Sequence, residues 1–332
     1  MTVRTTTMSA PTETQQDGSS PLISSMSLIA SSFDSCVNFS ELREMDELEV
    51  LALEKEVHNT SLTAEEFRLV GEKPLYDEET ENEGCEQIVG ALTMEERAHL
   101  SDAHMPLRYF RAEKGDIASA TKKLKATIAW RRDFEVEKIR RCFEDDGDMH
   151  MRKIIAQENE TGKIYTRGYD REGRAVLYLH PGLENSNDEI NNMRHLVYNL
   201  ERVIAATAAM SGKEKFNIVI SYKGFKLRNA PPISVVRHTV DILQNHYPER
   251  MYRAYVCDPP VVFRTFWSLV KPFIDPVTKE KLQFCHGKVG KATLEERFDL
   301  ETTEKCAAGT RDLRPFNSTE YLYSRMGKTF DE

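Results

Sequence analysis

The spacing of apolar positions changes character along the chain. Over about 86–145 they recur at three- and four-residue intervals. In IASATKKLKATIAWRRDF, Ala120, Leu124, Ile128 and Phe134 share one side and basic residues the other, which predicts a helical cluster. From about 152 short alternating runs take over. KIYTRGY and AVLYLH flank the turn DREG (Asp170 to Gly173), where glycine supplies the backbone freedom of a hairpin turn. A helix is expected over about 188–210, with Ile190, Met193, Val197, Leu200 and Ile204 on its inner face. FNIVISY is apolar almost throughout, as for a strand covered on both faces. Then come a helix (ISVVRHTVDILQNHY), a strand (RAYVCD), an amphipathic segment and a last strand (KLQFCHG). Strands alternating with helices predict an α/β fold with a mixed, mostly parallel sheet.

The amphipathic segment is the most informative stretch. Wound as a helix, it places Phe263, Phe266, Trp267, Val270 and Ile274 on one stripe, which Val262, Leu269 and Phe273 widen. Its four large aromatics amount to about 600–1,000 Å² of apolar surface, so this face must meet a core, an apolar ligand or a bilayer. Pro259 and Pro260 give it an extended start, and Pro272 and Pro276 break a helix at its far end. A movable lid and an ordinary core helix with a proline stop both fit this pattern.

Charge divides the chain. Residues 1–100 carry 6 Lys+Arg against 21 Asp+Glu, and the remainder 39 against 33. An acidic leader thus precedes a mildly basic body, one able to touch anionic membrane surfaces weakly. Residues 1–35 are rich in Ser and Thr and read as disordered, while Phe39–Val57 reads as a helix capped by Ser40. The first twenty residues lack the pattern of a secretory signal, and no apolar run is long enough to span a bilayer. The six cysteines form no CxxC and read as reduced thiols. These features predict a cytoplasmic, monomeric protein without nucleic-acid partners. The division expected is a leader over 1–84, a helical subdomain over 85–145, a ligand-binding domain over 146–300 and a tail over 301–332.

Catalytic signatures are missing. The sequence holds no GxGxxG, phosphate loop, GxSxG or HExxH, and Cys257 to Arg264 is one residue too long for a cysteine-phosphatase loop. His180, His195, His238, His246 and His286 fall into no metal-ligand spacing. No enzyme activity, cofactor or metal is expected.

At HYPERM, AYVCDPPVVF, FRTFWSLVKPFIDPVT and LRYFRAEKGDIASA the chain resembles the CRAL-TRIO family of lipid-transfer and hydrophobic-ligand carriers, and within it the branch that transfers phosphatidylinositol. The match runs over about 95–295. It implies a sheet flooring an apolar pocket, with the stripe at 261–274 as a gating helix over its mouth. It further implies that Lys114 and Lys281 serve as phosphate-side cations, with Glu249 and Asp170 as acceptors for inositol hydroxyls and Thr278 as an auxiliary donor. The chemistry suits a phosphodiester bearing a polyol. Other roles fit these residues too: a turn cap for Asp170, solvation for the lysines, and pairing with Arg250 or Arg253 for Glu249.

Two departures stand out. Where the family often has a second basic residue beside Lys114, this chain has Glu113. The positions matching phosphatidylcholine-headgroup ligands are Leu177, Phe216, Ile218 and Leu243, with Thr166, and four apolar residues cannot satisfy a buried phosphate. The reading is a carrier that keeps phosphatidylinositol and loses phosphatidylcholine, with room for a sterol- or tocopherol-like ligand. It would transfer or present its lipid, touch membranes transiently, and serve a lipid kinase or another protein. An α/β enzyme acting on a lipid or phosphoester, and a non-transferring regulatory scaffold, are the alternatives.

Overall fold

Side-chain caps set where the early helices begin. In the computed structural model, which describes residues 76–226, 232–261, 263, 267–268 and 271–332, the helices before the sheet are α1 (Glu78–Gly90), α2 (Met94–Ala98), α3 (Met105–Ala112), α4 (Ile117–Asp133), α5 (Val136–Arg141) and α6 (Met149–Asn159). Asp77, Thr93, Asp116 and Asp148 each accept the backbone N–H three residues on, satisfying a donor the helix cannot. Glu96 returns the bond to Thr93. As its spacing predicts, α4 buries Ala120, Leu124 and Ile128, which close a small core with Ile88, Leu92, Met105, Tyr109 and Phe110. The leader expected at 1–35 and the helix at Phe39–Val57 lie outside the described residues.

Five strands follow in sheet order β1 (Ile164–Tyr169), β2 (Ala175–Leu179), β3 (Phe216–Ser221), β4 (Met251–Cys257) and β5 (Leu282–Cys285). The β1–β2 hairpin is antiparallel and the other pairs are parallel. Gly173 takes φ +81° in the hairpin turn, and a Cβ there would stand 2.8 Å from that of Ser211. Helix α7 (Glu189–Ser211) joins β2 to β3, and α8 (Ile233–Asp241) joins β3 to β4; the crossover from β4 ends in α9 (Pro276–Glu280). Helices α10 (Gly287–Arg297) and α11 (Ser318–Tyr323) come last.

Two expectations about the helices change. The helix read across 233–247 is α-helical only to Asp241, then widens into a π turn over Ile242–His246, a form that often marks functional sites. On α7, Met193, Val197 and Leu200 are buried as expected, but Ile190 is 39% exposed because it sits in the first turn, ahead of the buried stretch.

Strand alternation gives the sheet two different faces. The register sets Tyr178, Val219 and Tyr255 on one, where Tyr255 meets Phe298 at 5.2 Å and the Glu304 N–H donates to Tyr178. This face is covered by the chain that follows β5. On the other, Thr166, Leu177, Ile218, Ala254 and Leu282 stand in a row, and Leu179, Ile220, Val256 and Phe284 in the next. Leu177, Ile218 and Ala254 are buried, Ile220 and Leu282 half-buried, and Phe284 is 42% exposed. Cover on this second face gives out toward β5.

Candidate functional site

Parallel strands bring their amino ends together at one edge of the sheet. Lys215 directly precedes β3, Glu249 lies just ahead of β4, and Lys281 directly precedes β5. There Lys215 Nζ approaches Glu249 Oε2 at 2.8 Å, and Lys281 Nζ approaches Oε1 at 3.6 Å. Two cations and one carboxylate leave a net positive charge in a largely buried setting. Burial pushes the Glu249 carboxyl up, but Lys281 and then Lys215 outweigh it and hold the group ionised. Burial pulls the Lys281 ammonium below its usual value; Glu249 opposes that shift and Lys215 adds to it. Glu249 also holds φ +56°, a left-handed conformation that costs a non-glycine residue about 1 kcal/mol.

Helix α3 reaches the same neighbourhood. Arg111, raised chiefly by its hydrogen bond to Glu81, also feels the Glu249 charge. Lys114, just past the end of α3, is exposed, has φ +53° and makes no ion pair among the described residues. Glu113, beside it, is bound to Lys123 at 2.6 Å. Asp275 caps α9 by accepting the Thr278 N–H at 2.8 Å, with Pro276 in the first turn, where its missing donor is harmless. The half-buried Thr278 then accepts the Lys281 N–H through its carbonyl at 3.1 Å. Gln244, from the π turn, fixes this corner by donating to the Phe273 carbonyl and accepting from the Asp275 N–H.

Asp170 does not join the cluster. Its Oδ1 accepts the backbone N–H groups of Glu172 and Arg174 at 2.9 and 2.8 Å, and its Oδ2 accepts from Asn217 at 2.9 Å. Arg174 and Arg297 stand within 3.7 Å of Oδ2, and the side chain has no exposed surface. The carboxylate is committed to its turn.

At the opposite, carboxyl end of the strands the site is aromatic. Phe263 is buried, with the rings of Tyr222, Phe284 and Trp267 at 4.8, 6.0 and 6.1 Å, and Trp267 meets Phe284 at 5.4 Å. Back beside the Gln244 corner at the amino end, Phe273 is half-buried under the Arg237 guanidinium at 5.0 Å, and Ile274 is buried. Val262, Phe266 and Val270 lie outside the described residues. Helix α8 has no buried residue, and its Ile233, Val235, Val236 and Val240 are all half-buried. Of the residues expected on the choline side, Leu177, Phe216 and Ile218 are buried in the core and Leu243 is half-buried against it. Thr166 is buried with its Oγ1 unpartnered.

A polar groove of about 780 Å³ opens elsewhere, lined by Asp102, Arg108, Glu201, Glu214 and Arg250 among others. Its charges satisfy one another. Arg108 binds Asp102 at 2.6 Å and Glu214 at 2.8 Å, while Arg250 binds Asp102 at 2.8 Å, which ties the helical subdomain to the start of β4.

Lys215 and this brace escaped sequence reasoning. In KEKF, Lys215 looks like one more solvated charge, and only the parallel order of β3, β4 and β5 brings it to Glu249.

Comparison with known proteins places this geometry in a lineage. The CRAL/TRIO domain model matches residues 159–309. CRAL-TRIO domain-containing protein C23B6.04c of Schizosaccharomyces pombe is 38% identical over 178 residues, 54% of this chain and 16% of its own. Phosphatidylinositol transfer protein PDR17 of Saccharomyces cerevisiae is 34% identical over 183 residues, 54% of this chain and 51% of its own. The chain therefore spans about half of one of these relatives and about a sixth of the other. CRAL-TRIO domain-containing protein YKL091C of Saccharomyces cerevisiae is 30% identical over 237 residues, 67% of this chain and 74% of its own. Identity sustained across that share of a relative, on a mixed sheet with an incompletely covered apolar face, makes this chain a member of the CRAL-TRIO family.

Proposed function

We propose that this chain binds phosphatidylinositol and transfers it between membranes or presents it to a lipid-modifying enzyme. One observation carries the reading: a net-positive cluster of Lys215, Glu249 and Lys281 closes one end of a half-open apolar sheet face whose other end is closed by aromatic rings. Along β5 the two ends are about 10 Å apart, within the reach of one amphiphile. Lys281 and Lys215 meet the phosphate, with Lys114 approaching from α3, while Glu249 and Thr278 meet inositol hydroxyls. The acyl chains run over Ile220, Leu282 and Leu243 toward the aromatic end, each buried methylene contributing about 0.8 kcal/mol. Relatives named as phosphatidylinositol transfer proteins support the same choice of lipid.

The buried, apolar set Leu177, Phe216 and Ile218 leaves a phosphocholine headgroup without partners, so phosphatidylcholine is excluded and a second, apolar ligand is favoured on that side. Exchange needs no bond making. The segment carrying Phe263 and Trp267 trades its contacts with the sheet for contacts with a bilayer, so opening costs less on a membrane than in water. The protein acts as a peripheral membrane visitor from the cytoplasm; no helix among its described residues is long and apolar enough to cross a bilayer.

Native mass spectrometry of the purified protein, paired with transfer of labelled lipids between vesicles, tests this. Phosphatidylinositol should co-purify and move, and phosphatidylcholine should do neither. Bound phosphatidylcholine, or no lipid movement at all, would overturn the reading.

A further inference from the structure

We infer that the first turn of α10 is a second membrane-docking element, built to seat on a bilayer containing anionic lipid beside the lid. The inference rests on the lipid-carrier reading above but concerns a different surface. Helix α10 leaves β5 at the carboxyl edge of the parallel strands, the edge from which the lid segment also departs. Gly290 lets it do so closely, since a Cβ there would stand 2.4 Å from the Cys285 carbonyl carbon. The His286 ring nitrogen lies 3.4 Å from an Asp258 oxygen at the start of the lid segment. Phe284, the last-but-one residue of β5, holds Trp267.

The chemistry of this turn is unlike that of an ordinary solvated helix end. Lys288 and Lys291, three residues apart and so on one stripe of the helix, are exposed, and Val289, about 100° around the helix from Lys288, is 76% exposed. The first turn contains no acidic residue, and His286 makes no side-chain cap. The acids Glu295 and Glu296 fall instead in the second half. Lys288 and Lys291 at the start and Glu295 and Glu296 near the end run against the helix dipole, which favours acids first and bases last, while Arg297 in the last turn follows it. The lysines therefore do not serve the helix. They stand at the edge where the loop after β3 presents the exposed Lys223 and Lys226. Two lysines on one stripe of the turn and an exposed aliphatic side chain beside that stripe, next to a half-exposed aromatic and further cations, complement a layer of anionic headgroups over acyl chains.

The full chain and its K288E/K291E and V289D variants should be compared in co-sedimentation with vesicles of phosphatidylcholine alone and with phosphatidylserine added. The parent should favour the anionic vesicles. Each lysine near such a surface is worth about fivefold in affinity, so the double reversal should lower binding by about thirtyfold or more, and V289D should weaken it as well. Melting temperatures should match, because all three side chains are exposed. Phosphatidylinositol retained by the purified variants, read by native mass spectrometry, should equal the parent's, since the headgroup cluster lies at the opposite edge of the sheet. Equal vesicle binding by parent and variants would overturn the inference and leave the patch to a protein partner. Absence of retained phosphatidylinositol from every form, with vesicle binding still lost on charge reversal, would count against the carrier reading alone.

Discussion

Lys215 and Glu249 lie 2.8 Å apart although α8 separates them in sequence. The parallel pairing of β3 with β4 makes them neighbours, and Lys281 at the head of β5 completes the triad. Because Glu249 keeps one lysine when the other is lost, each lysine can be removed without stranding a bare buried carboxylate. Lys215→Ala and Lys281→Ala should each lower affinity for phosphatidylinositol about tenfold, the worth of one charge-assisted hydrogen bond. Melting temperatures should move little. If transfer and melting temperature fall in proportion, the lysines brace the fold and the headgroup assignment fails.

Backbone geometry at Glu249 separates two contributions of that residue. Its φ of +56° suits glycine and strains alanine. Glu249→Ala and Glu249→Gly both delete the ion pairs, so the difference between them reports the strain. The glycine variant should be the more stable by about 1 kcal/mol in urea unfolding. Equal midpoints would mean that the turn relaxes out of the left-handed region when the carboxylate is gone.

The same residue shows what the sequence discloses and what it hides. Hairpin, parallel strands and crossover helices were legible because each follows from a local period, and Gly173 marks its turn by a requirement of one residue. The π turn after Asp241 has no such signature, since ILQNH continues the helical spacing of α8. The site was legible only in part. Lys281 and Glu249 stand 3.6 Å apart, with Thr278 one turn before Lys281, whereas Asp170 is taken up by two backbone donors of its own turn, the cap that DREG also allowed. Lys215 carries no motif. Its placement depends on strand order, a property of the whole sheet.

Acid should loosen the brace beneath the helical subdomain. Burial pushes the Asp102 carboxyl up, but the hydrogen bond and charge of Arg108, with the charge of Arg250, prevail and hold it at about 2 against an ordinary 3.8. A carboxyl depressed on folding contributes stability that is present above about pH 4, declines as pH falls toward 2, and is absent below both values. Side-chain exposure of 36% means that water screens the pair, so the contribution discounts to about 1 kcal/mol. Asp102→Asn should therefore be less stable than the parent at pH 7, with the gap closing as unfolding is measured at successively lower pH down to 2. A gap that stays constant across that range would mean the loss is steric.

Trp267 offers a direct test of the proposed lid. Trp130, the other tryptophan, stacks on His246 at 4.0 Å and on Phe134 at 5.3 Å, far along the chain from the aromatic end of the site. Trp130→Phe keeps a ring in that stack and leaves Trp267 as the sole reporter. Trp267 sits half-buried against Phe284 and Phe263. Added vesicles should shift its emission to shorter wavelength, because an indole at a bilayer interface leaves water for the acyl boundary. Trp267→Asp should slow vesicle-to-vesicle exchange while leaving the headgroup cluster, and hence bound phosphatidylinositol in the resting protein, in place. Exchange at the parent rate in that variant, or an unchanged spectrum during active transfer, would show that the lipid enters by a path on which this segment does not move.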